Sequence, residues 1–157
     1  MSDAQNTLLE LLGRVRMFAG LERTSLERIA YLGEEEEHAS GFIFREGDPG
    51  ETFYLILTGA VRISREVAGM GEEALAILRA GDAFGEMSLV DDGPRSADAR
   101  VHEPCRLYCL RKQEVQQLMS ADGELANELL WNLVRLLSAR LRETNNKMTF
   151  LAVSGKF

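Results

Sequence analysis

Three residue types in one loop carry the chemistry this chain has to offer. In Gly81-Asp82-Ala83-Phe84-Gly85-Glu86-Met87-Ser88-Leu89-Val90-Asp91-Asp92-Gly93-Pro94-Arg95-Ser96-Ala97, Arg95 brings a planar, permanently charged fork that suits a phosphate. Gly85 lets backbone approach a ligand with no side chain between them. Glu86 opens a segment to Val90 that is predicted to form one helical turn, whose free N–H groups suit an anion. The amides of Met87 and Ser88 are the donors expected there. Ionised Glu86 accepts from a hydroxyl, and Ser96 has a hydroxyl to give. Each residue also has a plainer reading. Arg95 bridges to Glu86 or Asp98, Glu86 is a solvated acid at a helix start, Gly85 is a turn glycine, and Ser96 is small for packing.

The flanking sequence predicts what must hold this loop. Thr7 to Arg16 reads as a short helix, with Met17, Phe18 and Leu21 tucked into the core. Thr24-Ser25-Leu26-Glu27 has the form of a capping box with Thr24 as N-cap, so a second helix to about Tyr31 is expected. The acidic run Glu34 to Glu37 reads either as a patch for a metal or a basic partner, or more plainly as a solvated loop or exposed strand edge. From about 38 to 111, short apolar runs alternate with turn signals, the texture of a small β-barrel or sandwich. Gly47-Asp48-Pro49-Gly50, Thr58-Gly59 and Ala80-Gly81-Asp82 are the predicted turns, and Gly69 to Glu73 a hairpin loop. Arg95 to Val101 alternates as a strand, placing Arg95 beside Ala97, Ala99 and Val101. A charged side chain on that small, apolar inner face is out of place unless something pairs with it.

The remainder reads as helix: Lys112 to Met119, then a long helix capped by Asp122 and running to about Lys147. Leu137, Leu141, Thr144, Met148 and Leu151 follow heptad steps, a narrow, short stripe suited to a second copy of the chain, with ligand-dependent dimerisation or packing on its own barrel as the alternatives. Cys105 and Cys109 lie four apart, roughly 13 Å on a strand, too far to bond to each other. His102 alone does not make a metal site with them.

The 157 residues bound one core and one domain. A 45% hydrophobic and 27% charged composition is that of an ordinary soluble protein, with no apolar run long enough to span a membrane. The N-terminus lacks a secretory signal, so cytoplasmic residence is expected. A net charge of −7 disfavours nucleic acid as the main partner. No nucleophile stands out with a base and an orienting group, so no enzyme is expected.

Phe84-Gly85-Glu86, an apolar run, a short loop and Pro94-Arg95-Ser96-Ala97 together resemble the phosphate-binding cassette of the cyclic-nucleotide-binding domain family. Glu86 and Arg95 stand nine positions apart, as in the kinase-type cassette. The resemblance implies an α+β fold: a jelly-roll-type barrel of about eight strands over 33–111, N-terminal helices over 1–32 and C-terminal helices over 112–150. Gly59 matches a family turn glycine. The resemblance implies a 3′,5′-cyclic nucleotide as ligand, with no cofactor or metal. Arg95 would then hold the phosphate, and Glu86 the ribose 2′-OH. Gly85, Met87 and Ser88 would add backbone donors, and Ser96 would serve the phosphate or a syn guanine. Val61, Leu75 and Met87 are expected to line the base pocket. The segments Ala139 to Thr144 and Leu151 to Phe157 resemble the bacterial activator branch. There Thr144 would meet the adenine amino group and Asn145 would come from the partner subunit. This favours cAMP over cGMP, with a cyclic dinucleotide the weaker option. Three functional readings follow. The chain is a sensor signalling through its C-terminal helix, a dimer seam and a downstream protein. Alternatively it is the ligand-binding half of a transcription regulator without a DNA-binding domain, or a ligand-free interaction module.

Overall fold

Ser2 begins the first helix. The structure, a computed structural model, describes residues 2–155; Met1, Lys156 and Phe157, the ends of two segments discussed above, lie outside it. The Ser2 hydroxyl accepts from the Gln5 amide at 3.3 Å, and the Gln5 side chain accepts from the Ser2 amide at 3.0 Å. This reciprocal cap starts helix α1 at Asp3, ahead of the predicted Thr7, and it ends at Arg14. A 3₁₀ turn, Arg16–Phe18, then buries Met17 and Phe18. Helix α2 spans Arg23–Leu32, and here the predicted capping box fails. Glu22 occupies the N-cap position without a side-chain bond, so Thr24 already sits inside the first turn. Glu27 pairs with Arg23 at 3.1 Å instead of reaching back.

Six antiparallel strands follow: β1 (Glu34–His38), β2 (Phe42–Phe44), β3 (Thr52–Val67), β4 (Gly71–Arg79), β5 (Ala83–Phe84) and β6 (Asp98–Arg111). The path runs β1-β6-β3-β4, with β2 also on β6 and β5 on β3. This is the expected α+β jelly-roll-type barrel, with fewer and longer strands than the eight anticipated. The predicted turn at Thr58-Gly59 shows why. It is a bulged bend within β3, where the register against β6 shifts three times between Ile56 and Val61. Gly59 has φ 86°, and a Cβ there would lie 2.2 Å from the Pro104 carbonyl oxygen. The strand bends at this point without ending.

The acidic run Glu34 to Glu37 is an exposed edge strand, as one of its two readings had it. Glu35 pairs with Arg106 across the ladder, and Glu34 with Arg111 at 3.9 Å. Cys105 and Cys109 are buried free thiols on β6. Burial pushes the Cys109 thiol up to about 12, well away from reactivity.

Helix α3 (Lys112–Ala121) and helix α4 (Gly123–Ser154) complete the chain. Asp122 caps α4 as predicted, accepting from the Leu125 amide at 3.0 Å, and it also receives Arg28 of α2 at 2.6 Å. Leu125, Leu129, Leu133 and Leu136 bury one face of α4. Asn132 ties the helix to the 3₁₀ turn by donating to the carbonyls of Met17 (3.0 Å) and Ala19 (2.8 Å). From Ser138 onward every described residue of α4 is exposed, and the helix extends well past the predicted end at Lys147. One core cluster joins the helices to Phe53, Leu55 and Leu110; a second, around Ile56, Val61 and Leu107, fills the barrel.

Candidate ligand-binding site

The loop between β5 and β6 is fixed from three sides. Gly85 ends β5 in the left-handed region (φ 81°, ψ 13°) and starts the 3₁₀ turn Glu86–Leu89. A Cβ at Gly85 would lie 2.7 Å from Arg95 Nη1 and 3.0 Å from the Thr52 carbonyl oxygen, so only glycine fits. Helix α3 grips the far end of the loop. Lys112 Nζ donates to the Asp91 carbonyl and to Asp92 Oδ1, both at 2.8 Å, and Gln116 donates to the Leu89 carbonyl at 3.1 Å. The Arg95 backbone is held on the predicted Gly47-Asp48 turn, its amide donating to the Asp48 carbonyl at 2.8 Å.

Arg95 is not on a strand: β6 begins only at Asp98, and Arg95 stands in the loop before it. The inference drawn from its neighbours nevertheless holds, because its side chain turns inward and is only 6% exposed. Nη1 donates to Ser88 Oγ at 2.8 Å, and Nη2 to the Thr52 carbonyl at 2.7 Å. Nε is buried with no hydrogen-bond partner. Neither expected bridge forms. Asp98 accepts from the Glu46 amide at 2.7 Å, and Glu86 pairs with Arg140. No carboxylate among the described residues forms an ion pair with Arg95, and burial pushes its guanidinium down from its ordinary value. The charge rests on aromatic faces instead. Its Cζ sits 4.1 Å above the Phe44 ring and 5.8 Å from Tyr54, and Phe44, Tyr54 and Phe84 stack on one another. A buried donor left unmade costs about 1–3 kcal/mol. A cation lacking a counter-charge in such a site favours an anion.

A cavity of about 330 Å³ opens over this guanidinium. Gly85, Glu86, Met87, Ser88, Arg95, Ser96 and Ala97 all line it. The apolar wall differs from expectation. It is Ile63, Ala76 and Leu78, paired across β3 and β4, together with Phe44 and Phe84. Leu75 is 54% exposed on the opposite face of β4, because strand side chains alternate and a shift of one residue reverses the face. Val61 is fully buried in the barrel core and does not line the cavity. Thr144 and Asn145 lie on the exposed end of α4, outside the cavity of the single chain.

Sequence reasoning missed Arg140. It projects from α4 onto Glu86, which is itself only 5% exposed. An available signal was its position four before Thr144, one helical turn along the same face. The aromatic shelf under Arg95 gave no comparable signal, because its three rings come from three separate strands.

The arrangement offers a charged fork, neutral donors, a carboxylate and an apolar wall in one concavity, which suits a small anion with an apolar body. The description "Cyclic nucleotide-binding domain" belongs to the family model that matches residues 36–122, more than half of the chain. A CRP-like cAMP-activated global transcriptional regulator of Mycobacterium tuberculosis is 31% identical over 143 residues, covering 90% of this chain and 62% of that protein. The cyclic AMP receptor protein of Thermus thermophilus is 39% identical over 110 residues, 70% of this chain and 49% of that protein. The chain thus spans 62% and 49% of the length of these relatives. The crystal structure of the N-terminal domain of a transcriptional regulator from Streptomyces coelicolor A3(2) superposes with a TM-score of 0.76 at 31% identity, covering 88% of this chain and 94% of that one.

Proposed function

Since the chain belongs to the cyclic nucleotide-binding domain family, we propose that its cavity takes a 3′,5′-cyclic nucleotide, cAMP in preference to cGMP, and that α4 carries the response. The observation that carries this reading is Arg95, a buried guanidinium whose Nε lacks a partner beside a cavity of sufficient size. The cyclic phosphate bonds Arg95, helped by Ser96 and the amides after Gly85. Glu86 accepts from the ribose 2′-OH, and the base lies toward Ile63, Ala76, Leu78 and Met87.

Glu86 also links the cavity to α4 through Arg140. A ribose hydroxyl on Glu86 changes what that carboxylate offers Arg140, so nucleotide binding biases the position of the helix. Such a bias transmits only the difference in affinity between the helix positions. Leu141, Met148 and Leu151 are exposed beyond this point, a seam for a second copy. In such a dimer Thr144 and Asn145 come to the base from their helix seam. The role is binding and signalling to a protein partner rather than catalysis, and no DNA contact is assigned to these residues, given the net charge of −7.

One observation favours a second reading, that this is the ligand-binding part of a transcription regulator. The M. tuberculosis relative is named as one, and the chain covers 62% of its length. Titration calorimetry with cAMP and cGMP on the parent and on Arg95→Ala tests the binding claim. Arg95→Ala is expected to weaken binding by about 2 kcal/mol or more, roughly thirtyfold. Equal affinity in the two proteins removes Arg95 from its role.

A further inference from the structure

A second cavity, of about 260 Å³, lies on the other side of the Glu86–Arg140 pair, between the Arg16–Phe18 turn, the Gly81–Ala83 turn and α4. Val15, Met17, Phe53, Leu78 and Leu136 give it an apolar lining. Three arginines reach it, Arg14, Arg16 and Arg140, and so do three acids, Asp82, Glu86 and Glu143. The acids are already engaged. Asp82 accepts from the Arg79 amide at 2.9 Å, Glu86 holds Arg140, and Glu143 pairs with Lys147 at 3.0 Å. The side chains of Arg14 and Arg16 form neither an ion pair nor a hydrogen bond among the described residues. In a chain of net charge −7, this lining is locally balanced, three cations against three acids that are each bonded elsewhere or to Arg140. Burial, and after it the nearby Arg16, push the Arg140 guanidinium down from its ordinary value, so these cations feel one another.

We propose that this cavity binds a phosphate-bearing anion between Arg14, Arg16 and Arg140, and that the bound anion strengthens nucleotide binding in the barrel cavity. An anion relieves the repulsion between Arg16 and Arg140, which Glu143 offsets only in part, and gives the side chains of Arg14 and Arg16 a hydrogen-bonding partner. The apolar lining and the volume exceed what a bare phosphate fills, so a phosphomonoester with an organic body fits better than inorganic phosphate. Arg140 borders both cavities. An anion that engages it from the second cavity competes with Glu86, and the released Glu86 has its oxygens free for a ribose hydroxyl. The two sites are then positively coupled, and by linkage each ligand favours the other. The coupling, though not the anion site, rests on the reading of the barrel cavity as a nucleotide site.

The test uses ³¹P line broadening with two probes, inorganic phosphate and ribose 5-phosphate, at constant ionic strength. An Arg95→Ala background silences the barrel cavity. Broadening is expected to persist there, more strongly for the ester, and to be lost when Arg14→Gln and Arg16→Gln are added. Both arginines are exposed with unpaired side chains, so adding their substitutions is expected to leave the fold of the Arg95→Ala protein unchanged, checked by circular dichroism on both. Broadening that vanishes with Arg95→Ala alone, or survives the triple variant, overturns the site. With Arg95 restored, ribose 5-phosphate is expected to lower the cAMP Kd at least about fivefold relative to its effect on the Arg14→Gln/Arg16→Gln protein. An equal effect in both proteins overturns the coupling. Absence of cAMP binding to the parent refutes the barrel-cavity reading instead and leaves the ³¹P result to stand alone.

Discussion

Replacing Gly85 by alanine tests how closely the loop backbone, Arg95 and Thr52 are fitted to one another. Gly85 has φ 81°, and leaving glycine in that region costs about 1–2 kcal/mol. The added Cβ would sit 2.7 Å from Arg95 Nη1, the nitrogen that donates to Ser88 at 2.8 Å, and 3.0 Å from the Thr52 carbonyl oxygen. Backbone cannot yield easily there, so the guanidinium must move and lose a charged hydrogen bond worth about 1.5–3 kcal/mol. The sum is about 2.5–5 kcal/mol. Gly81 provides the control. Its φ is 91°, but a Cβ there meets nothing within 4 Å, so Gly81→Ala bears only the backbone cost of about 1–2 kcal/mol. Urea denaturation of both variants should separate them by about 1.5–3 kcal/mol. Calorimetry with cAMP should show a fall of tenfold or more for Gly85→Ala and little change for Gly81→Ala. If the two variants match in stability and affinity, the close packing of Gly85 on Arg95 is not what shapes the site.

Ser88→Ala removes the only side-chain acceptor of Arg95 that the structure shows, and should cost about 1–3 kcal/mol in urea denaturation. Asp122 is held below the usual carboxylate range by the Leu125 amide and by Arg28. Its folded-state value is depressed, so its contribution is present above the unfolded value of about 3.9 and is lost as pH falls through the folded one. Asp122→Asn keeps a cap without the charge; its deficit in thermal midpoint should be largest near pH 7 and close as pH drops below about 4. Leu141→Glu places a charge on the exposed seam of α4 and should hold the protein monomeric in sedimentation, while Thr144→Ala should narrow the preference for cAMP over cGMP in calorimetry.

The site's charged and backbone parts were legible in the sequence because they sit in one loop. Gly85, Glu86, Ser88, Arg95, Ser96 and Ala97 are near neighbours along the chain, and all of them line the cavity. The apolar wall was not legible, because β4 is an edge strand with apolar residues on both of its faces, Ala76 and Leu78 inward and Leu75 and Ile77 outward. Leu75 and Ile77 are exposed, while the smaller Ala76 lines the cavity, so hydrophobicity pointed to the wrong parity. Arg95 was assigned to a strand that begins three residues later, yet its burial followed correctly from its small neighbours. The capping box at Thr24 failed because the helix starts two residues earlier than the motif implies, with Glu22 at the N-cap. Arg140 escaped notice because its partner Glu86 lies 54 residues away and only the packing of α4 brings them together.

The Nε–H proton of Arg95, followed by nitrogen-edited NMR while cAMP is added, reports most directly on whether this buried cation is the phosphate's partner. Today that hydrogen is the one buried side-chain donor of the described residues with nothing to bond. The account predicts a downfield shift that saturates at one nucleotide per chain, as a charge-assisted bond forms. A resonance that stays fixed while calorimetry registers binding would contradict it.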